Sequence, residues 1–144
     1  MALVIFNGAL TTTFQPTIPS QVKGEKIALD FVVTVANTLT PAGTHAEVQW
    51  YPEFTDLDPN AAASQWYRES SEENQGNGNI LMVQTIRQFA EYGSVDLSEG
   101  TFTFDTQFRR VHAFFRLQVR ITTTSADTCS AVIRDPFGVQ LQSA

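Results

Sequence analysis

The sequence predicts an all-β protein: a single antiparallel β-sandwich or jelly roll of about seven to nine strands with an extended N-terminal arm. Residues 109–122 alternate between apolar and polar side chains, as a strand with one buried face would. Short runs rich in β-branched and aromatic residues recur along the chain, and glycine, proline or asparagine separates them. A chain of 144 residues fits one domain. We therefore assign residues 1–20 to the arm and residues 21–144 to a β-sandwich domain.

The N-terminal segment combines apolar residues 3–6 with two prolines, Pro16 and Pro19. Proline fixes φ and lacks an N–H, so this segment is expected to be extended. Two interpretations stay open: an arm that pairs with a neighbouring subunit, or an ordinary first edge strand with a proline-rich lead. The arm residues expected to contact a partner are Leu3, Val4, Ile5, Phe6 and Phe14.

The other predicted strands share an alternating or β-branched pattern and cover residues 26–36, 46–54, 64–69, 101–105, 130–134 and 138–141. Residues 70–79 are polar and contain two glycines, which predicts a loop. Residues 80–92 fit either a strand or a helix, and their strand-like flanks favour a strand.

Residues 109–122 have the clearest pattern, and we expect one long strand there. Its predicted core face consists of Val111, Ala113, Phe115, Leu117, Val119 and Ile121. The opposite face carries Arg110, Arg116 and Arg120, three of the nine basic residues in the chain. Arginines on a sheet either pair with acidic residues on neighbouring strands or bind carboxylates of a partner protein. The three arginines are therefore candidate contacts to a partner or to a second copy.

Composition excludes several classes of protein. The net charge of −6 argues against a general nucleic-acid binder, because binding phosphate needs a basic surface. Charged residues make up 17% of the chain, below the usual ~25%, which suits surfaces that touch other proteins. No apolar run approaches the ~20 residues of a membrane span, and no basic residue precedes the apolar N-terminal patch, so neither a membrane protein nor a secretory signal is expected. The single cysteine, Cys129, is expected to be a small buried hydrophobe.

Residues that carry chemistry are sparse. His45 and His112 lie far apart and belong to no spaced metal motif. Asp56, Asp58 and Asn60 superficially resemble the start of a calcium loop, but the glycine and glutamate that follow in such a loop are missing. We therefore expect no enzyme, no catalytic residues, no metal site and no cofactor.

Two aromatic pairs form a candidate contact surface: Trp50 with Tyr51, and Trp66 with Tyr67. Successive strand residues face opposite ways, so each pair is expected to place one ring inward and one outward. Outward rings on neighbouring strands bind a protein partner or stack on sugars. The alternative is that one ring of each pair lies in the core and a loop covers the other.

The order of these features resembles the small β-sandwich proteins of tailed-bacteriophage virions. The likeness spans residues 22–141, with a tryptophan-bearing hairpin over residues 46–51 and 65–69 and an aromatic-arginine strand over residues 111–119. It implies a non-enzymatic decoration or cement protein of the head, often trimeric, that clamps capsid subunits and joins the virion in the host cytoplasm. The implied partners are the major capsid protein and neighbouring copies, with no nucleic acid and no membrane. A tail or neck protein is an alternative, and a carbohydrate-binding module is the rival from another class.

Overall fold

The computed structural model describes residues 2–37, 44–56, 59–60, 66–68, 71–74, 80–83, 93–124 and 128–144. This part of the chain forms strands and no helix, so none of it is a helix long and apolar enough to cross a membrane. The strands are β1 (Leu3–Ala9), β2 (Gln15–Pro16), β3 (Ser20–Val22), β4 (Lys26–Ala36), β5 (His45–Thr55), β6 (Tyr67–Arg68), β7 (Ser71–Asn74), β8 (Ile80–Val83), β9 (Gly93–Ser98), β10 (Gly100–Arg109), β11 (Phe114–Thr124), β12 (Thr128–Asp135) and β13 (Leu141–Ser143). The predicted all-β class is confirmed.

Two antiparallel sheets pack against each other as a β-sandwich. Sheet A has the strand order β1-β12-β4-β10. Sheet B has the order β13-β3-β11-β5-β6, and β2 lies beside β11 while β9 lies beside β5. The strands β1, β3, β4, β5, β9, β10, β11 and β12 alternate between the two sheets along the chain, except that β5 and β9 share sheet B. This connectivity is that of a jelly roll.

The core lies between the sheets and is built by side chains at alternate positions. On β4, every second residue from Ile27 to Val35 is at most 1% exposed. On β11, Phe115, Leu117 and Val119 are fully buried, as the alternation predicted. Such alternation fits a sheet with one face on the core. Cys129 also lies in the core, where burial raises the pKa of its thiol and keeps it protonated at neutral pH.

The predicted single strand over residues 109–122 is wrong at its beginning. β10 ends at Arg109 in sheet A, and β11 begins at Phe114 in sheet B. Residues 110–113 form the corner between the sheets, so Val111 is 42% exposed instead of buried. Arg110 lies in this corner and does not share a face with the other two arginines.

The corner runs beside a second crossover, the one between β3 and β4. The N–H of Arg110 donates to the carbonyl of Glu25 at 2.8 Å, and the N–H of Val22 donates to the carbonyl of Ala113 at 2.8 Å. The two crossovers thus satisfy each other's backbone groups.

The predicted arm is part of the sandwich, which corresponds to the alternative of an edge strand. β1 pairs with β12 over Leu3 to Ala9, with an irregularity between Val4 and Phe6. Ile5 is 1% exposed, Leu3 and Phe6 pack against the core, and Val4 is 42% exposed. Residues 3–9 are therefore paired along β12 within the chain, and contact of Leu3, Val4, Ile5 and Phe6 with a partner stays a prediction.

The segment over residues 70–92 differs in part from its prediction. Residues 71–74, predicted as loop, form β7, which pairs with β8 at residues 80–83. The strand predicted for residues 80–92 is thus observed over its first residues, and residues 84–92 lie outside the described part.

Candidate functional site

A polar ladder follows the outer face of sheet B, where β11 lies beside β5. Its rungs are cross-strand pairs: Arg116 faces Glu53, Gln118 faces Tyr51, and Arg120 faces Gln49. Opposed side chains of an antiparallel pair lie close enough to bond. Arg120 donates from Nε and Nη2 to Oε1 of Gln49, at 3.2 and 3.0 Å.

Glu53 is the centre of the ladder. Its Oε1 accepts from Nε of Arg116 at 3.1 Å and from Nε2 of Gln118 at 2.7 Å. The side chains of Arg116 and Glu53 are 12% and 9% exposed. A buried carboxylate needs a counter-charge and further donors, and both are present here.

Two aromatic rings cover the ladder. The guanidinium of Arg116 lies 4.5 Å from the ring centroid of Trp66, and that of Arg120 lies 4.2 Å from the ring centroid of Phe14. The ring of Phe14 also meets Tyr51 edge-on at 4.7 Å. Arg116, Arg120 and Phe14, predicted as partner contacts, are therefore engaged within the chain.

The N-terminal segment reaches this position because it pairs along β11. The N–H of Thr17 donates to the carbonyl of Leu117, and the N–H of Leu117 donates to Oγ1 of Thr17, both at 2.8 Å. The N–H of Ile121 donates to the carbonyl of Thr11 at 2.9 Å. These bonds hold Phe14 over the ladder.

Three of the four residues of the predicted aromatic contact surface are buried. Trp50, Tyr51 and Trp66 are 6%, 7% and 4% exposed, and the side chain of Tyr67 lies outside the described part. Trp50 packs in the core with Phe31 at 4.9 Å and Phe104 at 5.4 Å between ring centroids. For the first pair, the alternative interpretation is the one observed: Trp50 lies in the core, and Phe14 from the N-terminal segment covers Tyr51. These three rings offer no platform for a sugar.

The second polar contact joins His112, in the corner at residues 110–113, to Asp56, which directly follows β5. Nδ1 of His112 lies 2.7 Å from Oδ2 of Asp56, and the N–H of Ala113 donates to Oδ1 of Asp56 at 2.9 Å. The backbone N–H of Ala113 chiefly, and His112 next, lower the pKa of the Asp56 carboxyl. Both side chains are exposed, and the two bonds hold the corner at residues 110–113 against the end of β5.

Asp56 should make stability depend on acid pH. A lowered pKa in the folded state means that Asp56 stabilises the fold above the ordinary carboxyl pKa, and that this contribution is lost as pH falls through the lowered value. We expect the denaturation midpoint of Asp56→Asn to change less than that of the wild type between about pH 5 and pH 3. Urea denaturation across this range measures it, with Glu25→Gln, an exposed carboxylate at the same corner, as the control. Equal pH profiles for Asp56→Asn and the wild type would contradict this role.

Metal ligands do not converge in the part of the chain that the structure describes, where no group of three His, Cys, Asp or Glu residues could hold a metal ion. His45 lies 3.3 Å from Asp96, and both are exposed. Asp58 of the calcium-like run lies outside the described residues, and Asn60 lies in a turn.

The outer face of sheet A has a different character from the ladder. One half of it carries small, uncharged side chains, namely Val32, Thr34, Thr101, Thr103, Ser130 and Val132, whereas the other half carries the charged residues Lys26, Asp30, Asp105, Arg109 and Arg134. Its ion pair is that of Arg134 with Asp30, at 2.9 Å. At one end of this face, Pro136 and the 73% exposed Phe137 border a groove beside Asp105. We call the uncharged half, made of Val32, Thr34, Thr101, Thr103, Ser130 and Val132, the neutral face.

Sequence reasoning identified neither Glu53 nor the neutral face. The signal for Glu53 was its position opposite Arg116, but that pairing depends on strand register. No protein family model, curated protein or solved structure matches this chain.

Proposed function

We propose that the chain is a non-enzymatic structural protein of a tailed-bacteriophage virion, a decoration or cement protein of the head. The observation that carries the proposal is the neutral face, which crosses sheet A with small side chains. Interface cores are depleted in charged residues, and a sheet face of Thr, Ser and Val suits contact with another protein.

The fold supports the proposal without deciding it. Jelly rolls occur in viral capsid proteins and in lectins, so the function depends on the surface and not on the fold. A lectin-like or carbohydrate-binding role needs exposed rings, and Trp50, Tyr51 and Trp66 are buried. This observation favours the virion role over the carbohydrate-binding alternative.

The partners in this proposal are the major capsid protein and further copies of the chain, assembled on the particle in the host cytoplasm. The neutral face is the surface that meets the capsid shell. Many copies on one shell make a weak single contact effective. A trimer on the head, as the resemblance implies, attaches to the shell through the same face. A protein in the neck or tail attaches to its neighbours through this face as well.

A charge placed on the neutral face tests the proposal. Ser130 is exposed at the centre of the face, opposite Thr34, and Ser94 is exposed on β9 of sheet B. Ser130→Arg should lower occupancy on phage heads that lack the protein by roughly tenfold, because an interface would bury an unpaired charge. Ser94→Arg, the matched control, should bind like the wild type. Equal occupancy of the two variants would overturn the neutral face as the attachment surface.

A further inference from the structure

We infer that β10 is a self-pairing edge, where two copies of this chain join their A sheets across a two-fold axis. β10 is the last strand of sheet A, and in the described part of the chain it pairs on one side, with β4. The inference concerns contact between copies and does not depend on the virion role.

The edge is long and regular, and neither a bulge nor a proline interrupts it. β10 stays in register with β4 from Gly100 to Arg109 without a bulge, and it contains neither proline nor lysine. Natural edge strands are usually blunted by such features, because an unpaired row of N–H and C=O groups recruits another strand. β1, the opposite edge of sheet A, has an irregularity, and its Ile5 carbonyl accepts from the N–H of Ile18.

The inner side of this edge leaves apolar rings partly covered. Phe102 and Phe104 are half-buried, whereas Phe108 further along is 3% exposed. Phe104 stacks on Phe31 at 4.9 Å and on Trp50 at 5.4 Å, so it forms the outer limit of the core at β10. A strand added beside β10 would bury these rings.

Charge complementarity selects a second copy as the occupant. The edge begins with exposed Glu99 and ends with exposed Arg109, and Arg109 lies directly opposite Lys26 on β4. Neither Glu99 nor Arg109 takes part in an ion pair among the described residues. An antiparallel copy of the same strand brings its acidic end to the basic end of the first.

One register of the two β10 strands places oppositely charged residues opposite each other at both ends of the edge. With Phe104 facing its symmetry mate, Glu99 of each copy faces Arg109 of the other, and Thr103 faces Asp105. The inward and outward faces of the two strands also match, because opposed residues of an antiparallel pair point to the same side. A shift of the axis to Asp105 would place two carboxylates opposite each other, and a shift to Thr103 would leave Arg109 opposite Leu97.

Contact between Glu99 and Arg109 within one chain is excluded by distance. Glu99 and Arg109 lie at opposite ends of the extended strand β10, which places them on the order of 30 Å apart at ~3.3 Å per residue. A charge effect that couples these two exposed residues therefore reports contact between copies.

Charge reversal tests the inference on the full chain. Glu99→Arg and Arg109→Glu should each weaken self-association roughly tenfold at low salt, because two cross-copy pairs become repulsive. The double variant should restore wild-type association, and an equimolar mixture of the two single variants should associate as the wild type does. Sedimentation velocity over a concentration series measures this, and Ser94→Arg, a charge change outside β10, should leave association unchanged.

Several outcomes would overturn the inference. One is a wild type that stays monomeric at millimolar concentration. Another is self-association of Glu99→Arg and Arg109→Glu that equals that of the wild type. The third is a mixture of the two single variants that fails to associate. Because Glu99 and Arg109 are exposed, the variants should denature like the wild type, and circular dichroism checks this.

Discussion

Replacing Glu53 with alanine is expected to lower the free energy of unfolding by about 3 kcal/mol, because Arg116 would keep its buried charge without a partner. Gln118 would lose its acceptor as well. The residual exposure of Arg116 and its contact with Trp66 keep the loss at the lower end of the range for a broken buried pair. Urea denaturation followed by circular dichroism measures the difference.

A second comparison separates a lost pair from lost packing. The double variant Glu53→Met/Arg116→Met removes both charges at similar volume and should lie about 1 to 2 kcal/mol below the wild type, because Gln118 still lacks its acceptor. Asp96→Ala, which removes a carboxylate that is 66% exposed, should change stability by less than about 0.5 kcal/mol. A Glu53→Ala protein as stable as Asp96→Ala would show that the ladder does not stabilise sheet B.

Gly93→Ala is expected to destabilise the protein by about 3 kcal/mol through overpacking. Gly93 faces Trp50 across β9 and β5, and a Cβ there would overlap the indole atoms Cε2, Cζ2 and Nε1. Trp50 cannot move aside freely, because Phe31 and Phe104 pack against it. Thermal unfolding and a shifted tryptophan emission spectrum report the effect.

Gly8→Ala is the matched control for this variant. Gly8 also lies in a strand, but a Cβ there meets nothing within 4 Å. Its stability should equal or slightly exceed that of the wild type, since alanine reduces the freedom of the unfolded chain. If the two alanine variants unfold at the same temperature, Trp50 does not fill the space above Gly93.

The fold class followed from local pattern. β4 and β11 bury every second residue, and the sequence shows this period of two as alternating apolar and polar residues. The corner at residues 110–113 was missed because Val111 and Ala113 continue the alternation past the point where the chain changes sheets. The sequence does not distinguish an arm from an edge strand at the N-terminus, because the partner strand, β12, lies at the other end of the chain.

The polar ladder could not be derived in the same way. The burial of Glu53 depends on the β5–β11 register and on covers from Trp66 and Phe14, which are distant in sequence. The three arginines also illustrate this limit: Arg116 and Arg120 bind within the chain, whereas Arg110 lies in the corner. Alternation predicts which face a residue occupies, but it does not predict what lies over that face.

The proposed place of this protein on a phage particle is tested most directly by its copy number in purified virions. Quantitative mass spectrometry of those particles gives the ratio of this chain to the major capsid protein. The head decoration role predicts a fixed ratio and many copies per particle. Recovery of the chain only from the soluble lysate, with none on purified virions, would contradict it.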